Sequence, residues 1–104
     1  EIGQAIGDIA ATLDIHAALL PTINILPWLN WGRAQESYGE DPFFSGKMGA
    51  AVIRGVQKDK KVMATAKHFL ANNIENTRWW VSAEMDEQTL HDVYLRAWAV
   101  IVRA

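Results

Sequence analysis

The sequence predicts an α/β fold assembled from parallel βα units, in the order helix, strand, helix, strand, helix. Three observations carry that expectation. Two short apolar runs, Ala17 to Leu26 and Val62 to Lys67, have the near-continuous hydrophobicity of strands covered on both faces. Three flanking segments repeat apolar residues at helical spacing. Each apolar run empties into a long polar loop, and loops of that length in a small domain usually carry function. Strands alternating with helices in this way are joined by right-handed crossovers and lie parallel.

The elements follow in order. Ile2, Ile6, Ile9 and Leu13 recur at spacings of four, three and four, with Asp8 and Asp14 off or beyond that stripe, so the chain opens as an amphipathic helix. "AALLPTINIL" then reads as the first strand, with β-branched Thr22, Ile23 and Ile25, and Pro21 marks its start or an irregularity in it. Residues Pro27 to Asp41 are rich in Trp, Asn, Gly and charge and have no period. Asp41 followed by Pro42 is a helix-start signal: Asp accepts from the free amides of the first turn, and Pro is pre-set for the first helical position. Phe44, Met48, Ala51, Val52 and Val56 mark the expected buried stripe of this second helix. "QKDKK" is a solvated turn, Val62 to Lys67 the second strand, and "LANNIENTRWWVSAEM" a second polar loop with an aromatic pair. Asp86 caps a third helix with the stripe Leu90, Val93, Tyr94, Ala97 and Ile101.

Composition narrows the function. The 104 residues are 50% apolar and 21% charged, which is globular and enough for about one domain. A net charge of -2 supplies no basic surface for phosphates, so no nucleic-acid partner is expected. No apolar stretch approaches the roughly 20 residues that cross a bilayer, and no membrane partner is expected. There are no cysteines. His16, His68 and His91 lie on different elements without ligand spacing, so no metal is expected, and no phosphate loop or Gly-x-Ser-x-Gly elbow points to a cofactor or an acyl nucleophile. The chain begins at Glu1 in helix-like sequence, without an initiator Met, and reads as an internal part of something longer.

The second strand ends abruptly in Lys67 and His68. An unpaired ammonium costs several kcal/mol to bury unless it is paired or the site is wet. In parallel α/β folds the loops that follow the strands gather at one face, and ligands bind there. Lys67 and His68 are therefore candidates for a ligand-binding rim; on spacing alone Lys67 could equally be a snorkelling strand-end residue and His68 a satisfied core histidine.

The stretches "NWGRAQESYGEDPF" (Asn30 to Phe43), "GKMGAAVIRGVQ" (Gly46 to Gln57) and "ATAKHFLANNIENTR" (Ala64 to Arg78) resemble, in order and spacing, the amino-terminal barrel domain of glycoside hydrolase family 3, the family of many β-glucosidases. The resemblance covers nearly the whole chain. It implies that residues 1–104 are a partial (β/α)8 TIM-barrel-like segment, α-β-α-β-α with parallel strands. It also implies a retaining glycosidase that cleaves terminal β-linked glucosyl-type residues, with a carbohydrate substrate and no cofactor. Arg33 of the Trp-Gly-Arg motif and the pair Lys67 and His68 match the family residues that hold hydroxyls of the cleaved sugar. A guanidinium fork, an ammonium and an imidazole together can fix several vicinal hydroxyls.

Arg78 and Trp79 are further candidates for the substrate. Arg33 could instead be a salt-bridge partner within its loop, Arg78 could pair with Glu75 or another acid, and Trp79 and Trp80 could pack rather than stack on sugar. Glu36, Glu40 and Asp41 read as structural, Asp41 as a cap and Glu36 as the partner of a nearby cation. The family's nucleophile and acid/base carboxylates match no position here, so the segment is expected to bind without turning over alone. The sequence departs from the usual pattern at Ile23, Asn24 and Ile25 and at Pro27 to Asn30, where the family more often carries charge. A second reading is a non-catalytic or engineered barrel piece that self-associates through open sheet edges.

Overall fold

The computed structural model describes residues 1–104. Helix α1 (Ile2–Thr12) leads to strand β1 (Ala17–Ala18), a 3-10 turn (Ala34–Glu36) lies within the first long loop, and helix α2 (Pro42–Val56) leads to strand β2 (Met63–Ala64). The third helix opens as Glu87–Thr89, passes through a π-helical turn at Leu90–Tyr94 and continues as Leu95–Ile101. The order is the expected one, and β1 and β2 pair in parallel, Ala17 with Met63 and Ala18 with Ala64.

Both strands are shorter than the apolar runs suggested. Beyond Ala18 the pairing resumes only at an isolated parallel bridge between Thr22 and Lys67. Between these points the first run takes four steps and the second takes three, so the first carries one extra residue, as in a bulge. Pro21 sits in that interval. It has no N–H to give the ladder, but its carbonyl still accepts from Lys67 N at 2.9 Å, and Ile23 N donates back to Lys67 O at 2.7 Å. Every residue from Pro21 to Leu26 is buried, as expected for this run.

The core contains Ile23, Ile25, Ile53, Ala97 and Ile101, with a second cluster of Ala10, Ala18, Val56 and Val62. The third helix turns its expected stripe inward, with Ala97 and Ile101 buried and Leu90, Val93 and Tyr94 half-buried. The first two helices do so only in part, with Val56 buried and Ile6 and Val52 half-buried. In α1 the buried residues are Gly3, Gly7 and Ala10, while Ile2, Ile9 and Leu13 are 76, 61 and 65% exposed. In α2 the buried face is Ser45, Gly46, Gly49, Ala50, Ile53 and Val56, and Phe44, Met48 and Ala51 are exposed.

Close approach explains the difference. A Cβ on Gly3 would lie 2.6 Å from Val52 O, and one on Gly7 would lie 2.5 Å from Val56 O. The two helices thus meet backbone to backbone along their small residues. Ile2, Ile9 and Leu13 are left to point away from this contact, while Ile6 packs against the second cluster. Gly7→Ala is expected to push the helices apart and destabilise the protein by about 1 to 3 kcal/mol, the usual cost of overpacking. Denaturant melts of the two proteins would show it, and an unchanged midpoint would contradict the contact.

The helix starts are as read. Asp41 Oδ1 accepts from Phe43 N at 2.8 Å and Phe44 N at 3.3 Å, with Pro42 at the first position. Asp86 Oδ1 accepts from Thr89 N at 2.7 Å, which holds the Asp86 carboxyl below its ordinary value. Both caps fix where the long loops end. No helix is long and apolar enough to cross a membrane.

Candidate functional site

The two long loops leave the same end of the parallel pair, just beyond the Thr22 to Lys67 bridge. The 3-10 turn of the first loop places Arg33 and Glu36 three residues apart on one side, so their side chains meet. Arg33 Nε donates to Glu36 Oε1 at 2.7 Å and Nη2 donates to Glu36 Oε2 at 2.9 Å, a two-pronged pair of the kind that orients as well as binds. Lys67 Nζ stands 3.5 Å from Glu36 Oε2, and Thr22 Oγ1 donates to the same oxygen at 3.2 Å. Glu36 is therefore the partner of two cations, as its position suggested. The hydrogen bonds from Arg33, then the charges of Arg33 and Lys67, draw its carboxyl down to about 2.

Arg33 reaches the second loop as well. Its Nη1 lies 3.1 Å from His68 Nε2 and 3.5 Å from Glu75 Oε1. Glu75 joins the two loops. Its Oε1 accepts from Trp31 Nε1 at 2.9 Å and from Asn72 Nδ2 at 3.0 Å, and its Oε2 accepts from Arg78 Nη1 at 2.8 Å. The Trp31 indole bond, followed by those from Asn72 and Arg78, lowers the Glu75 carboxyl. The Trp31 ring is buried and stands edge-on to the His68 ring, centroids 6.0 Å apart.

The structure brings Arg33, Lys67 and His68 into one half-buried cluster around Glu36. Arg78 joins it through Glu75 and so takes the ion pair that its sequence position allowed. Trp79 lies at the outer rim. Its ring stacks under the Arg78 guanidinium at 4.8 Å and is 74% exposed, and neighbouring Trp80 is 85% exposed. Neither indole packs into the core. The Lys67–His68 and Phe69–Leu70 peptide bonds are cis.

Two organising residues escaped the sequence reading. Glu75 appeared only as one candidate partner of Arg78, whereas it anchors both loops. Asn24 appeared only as a departure from a family pattern, whereas its carboxamide binds His68. The separations involved, 44 residues from Trp31 to Glu75 and 44 from Asn24 to His68, leave no local signature. No group of three His, Cys, Asp or Glu side chains gathers to hold a metal ion.

Because both acidic groups at the cluster are drawn down by cationic or N–H donors, their effect on stability has one sign. Glu36, lowered from 4.5 to about 2, adds stability above pH 4.5 that is lost as pH falls toward 2. Thermal melts of the whole protein across that window are expected to show Glu36→Gln converging on the wild type as pH falls. A constant difference between them would rule out a salt-bridged Glu36.

The profile of the glycosyl hydrolase family 3 N-terminal domain matches residues 1–104. The chain belongs to glycoside hydrolase family 3. Among its family 3 relatives, β-glucosidase A of Butyrivibrio fibrisolvens is 39% identical over 99% of this chain and 12% of its own length. A β-glucosidase of Rhizobium radiobacter is 43% identical over 89% of this chain and 11% of its own length. In structure, β-glucosidase 3B of Thermotoga neapolitana, solved in complex with α-D-glucose, superposes with a TM-score of 0.94 at 37% identity, over 98% of this chain and 14% of that one. The family 3 β-glucosidase of Bifidobacterium adolescentis superposes with a TM-score of 0.94 at 32% identity, over 99% of this chain and 15% of that one. The 104 residues thus span about an eighth of the family 3 proteins they match, and they share their α/β fold.

Proposed function

We propose that residues 1–104 are a segment of the amino-terminal (β/α)8 barrel of a retaining β-glucosidase, and that Arg33, Lys67 and His68 hold hydroxyls of the terminal sugar in the cleaved subsite. The observation that carries this reading is the convergence of those three side chains at the carboxyl end of a parallel strand pair, with donors to spare. Lys67 makes one ion pair, at 3.5 Å, and keeps N–H groups for a ligand. Arg33 keeps one Nη2 proton beyond its bonds to Glu36. A pyranose offers vicinal hydroxyls that such a set can grip, and the Thermotoga neapolitana relative binds glucose. Arg78 and Trp79 extend the same rim, Arg78 as a further donor and Trp79 as an apolar face suited to sugar CH groups.

Glu36 and Glu75, the carboxylates at the cluster, do not serve as the reacting pair. Retaining hydrolysis needs a nucleophile and a carboxylic acid about 5 to 5.5 Å apart, the acid with a raised pKa. Glu36 and Glu75 are both shifted the opposite way and are engaged by Arg33 and Arg78. The resemblance to the family supports a nucleophile and an acid/base residue supplied from elsewhere in the complete protein.

The test is an aryl β-glucoside assay on the complete protein, with the product anomer followed by NMR. Release of β-glucose before mutarotation, together with sharp losses in Lys67→Ala and His68→Ala, is expected. Wild-type turnover in both variants would sink the site, and first release of α-glucose would sink the retaining mechanism.

A further inference from the structure

Asn24 is 4% exposed and uses all of its hydrogen-bonding capacity at the site. Its Nδ2 donates to Asn72 O at 2.7 Å and to Asn73 Oδ1 at 2.7 Å. Its Oδ1 receives His68 N at 3.1 Å and faces His68 Nδ1 at 2.8 Å. The orientation of the carboxamide is over-determined. A backbone carbonyl, Asn72 O, can only accept, and a backbone amide, His68 N, can only donate, so Nδ2 and Oδ1 cannot exchange places without losing both bonds.

We infer that Asn24 is the positioning residue of this site, fixing His68 as the Nδ1–H tautomer so that its Nε2 lone pair faces the sugar-binding cluster as an acceptor. The other side of the ring requires the same tautomer. Arg33 Nη1, at 3.1 Å from Nε2, belongs to a guanidinium that can only donate. The imidazole is held between an acceptor on Nδ1 and a donor on Nε2, and only one neutral form satisfies both. The inference rests on the proposed reading of the cluster. It adds a direction to it. The single Nε2 lone pair is taken by Arg33 Nη1, so a ligand hydroxyl that meets His68 gives its proton to Nε2 in place of that bond and frees the Arg33 proton. Lys67 and Arg33 donate to hydroxyl oxygens. The three residues then read donor and acceptor positions separately.

The surroundings keep the ring neutral. Burial, then the charges of Arg33 and Lys67, lower the His68 pKa from its ordinary value, with Glu75 and Glu36 pulling weakly the other way. A carboxylate in place of the Asn24 amide would change this balance. It would stabilise the imidazolium through Nδ1–H, and it would set negative charge against Asn72 O and Asn73 Oδ1, which now receive N–H bonds.

The experiment is 15N NMR of the complete protein labelled at histidine, with the His68 signals assigned by their loss in His68→Gln. A protonated Nδ1 and an unprotonated, pyridine-like Nε2 at pH 7 are expected. Asn24→Asp is expected to raise the His68 pKa by on the order of one unit and to lower kcat/KM for an aryl β-glucoside about tenfold or more, as small misplacements of binding groups do. A merely structural role would leave that pKa where it is. An Nε2–H tautomer or an imidazolium at pH 7 in the wild type would overturn the inference, whether or not the variant folds, and so would an unmoved pKa in a folded Asn24→Asp. If His68→Gln instead keeps wild-type kinetics, the sugar-site reading fails while the measured tautomer still decides the role of Asn24.

Discussion

Lys67→Ala in the complete protein is expected to lower kcat/KM for an aryl β-glucoside by about tenfold to about a hundredfold, while shifting the melting temperature little. The two effects separate because they come from different interactions. Toward the ligand, Lys67 offers a charged donor, and losing a hydrogen bond to a charged group costs ~1.5 to 3 kcal/mol. Such bonds tighten as the sugar distorts toward its oxocarbenium-like state, so the loss falls on turnover and not only on ground-state binding. Toward the fold, Lys67 has one half-exposed ion pair at 3.5 Å with Glu36, which keeps its two-pronged partner Arg33 when the lysine is gone. Pairs of that kind contribute ~0 to 1 kcal/mol. The matching backbone bonds, Lys67 N to Pro21 O and Ile23 N to Lys67 O, survive any side-chain change. Kinetics and calorimetry on one preparation would check both halves. A variant that loses stability in proportion to activity would make Lys67 a structural residue.

How much of this was legible beforehand depends on the range of the interaction. Asp41 and Asp86 act on amides two or three residues away, and both caps stand where the sequence put them. The end of the second run marked Lys67 and His68 as candidates, although spacing alone left a snorkelling lysine and a core histidine equally open; the structure holds both half-buried, Lys67 beside Glu36 and His68 beside Arg33. Strand length was not legible, because whether a run pairs depends on the partner and on the bulge around Pro21. The packing faces of α1 and α2 were legible only in part, at Ile6, Val52 and Val56, for a different reason. Hydrophobic periodicity weighs large side chains, whereas the tightest helix contact is made by Gly3 and Gly7, whose contribution is the absence of a side chain. The network through Glu75 and Asn24 lay beyond any local pattern. Neutral or acidic residues in a polar loop look alike until the fold shows which of them meets a tryptophan or a histidine.

The isolated 104-residue segment is expected to self-associate or to fold poorly, and to hydrolyse no aryl glucoside in either case. Its accessible surface is 7101 Å2, against about 5,800 Å2 for an autonomous folded monomer of 11.6 kDa. Its radius of gyration is 14.3 Å, against about 12.8 Å for a compact domain of this length. The excess surface is apolar in the wrong places: Ile2, Ile9 and Leu13 on α1, Leu19 after β1 and Met63 in β2 are all more than half exposed. Strands β1 and β2 pair only with each other, so each presents an open edge, a template for a second chain. Catalysis fails on separate grounds, since the carboxyls at the cluster are drawn down and paired rather than poised as an acid. Sedimentation at micromolar concentration, circular dichroism and a glycosidase assay on the same sample would decide the matter. A compact monomer that melts cooperatively would show that the small-residue contact of α1 with α2 and the Ile23 core suffice without further strands. Measurable hydrolysis would place the reacting carboxylates inside this segment.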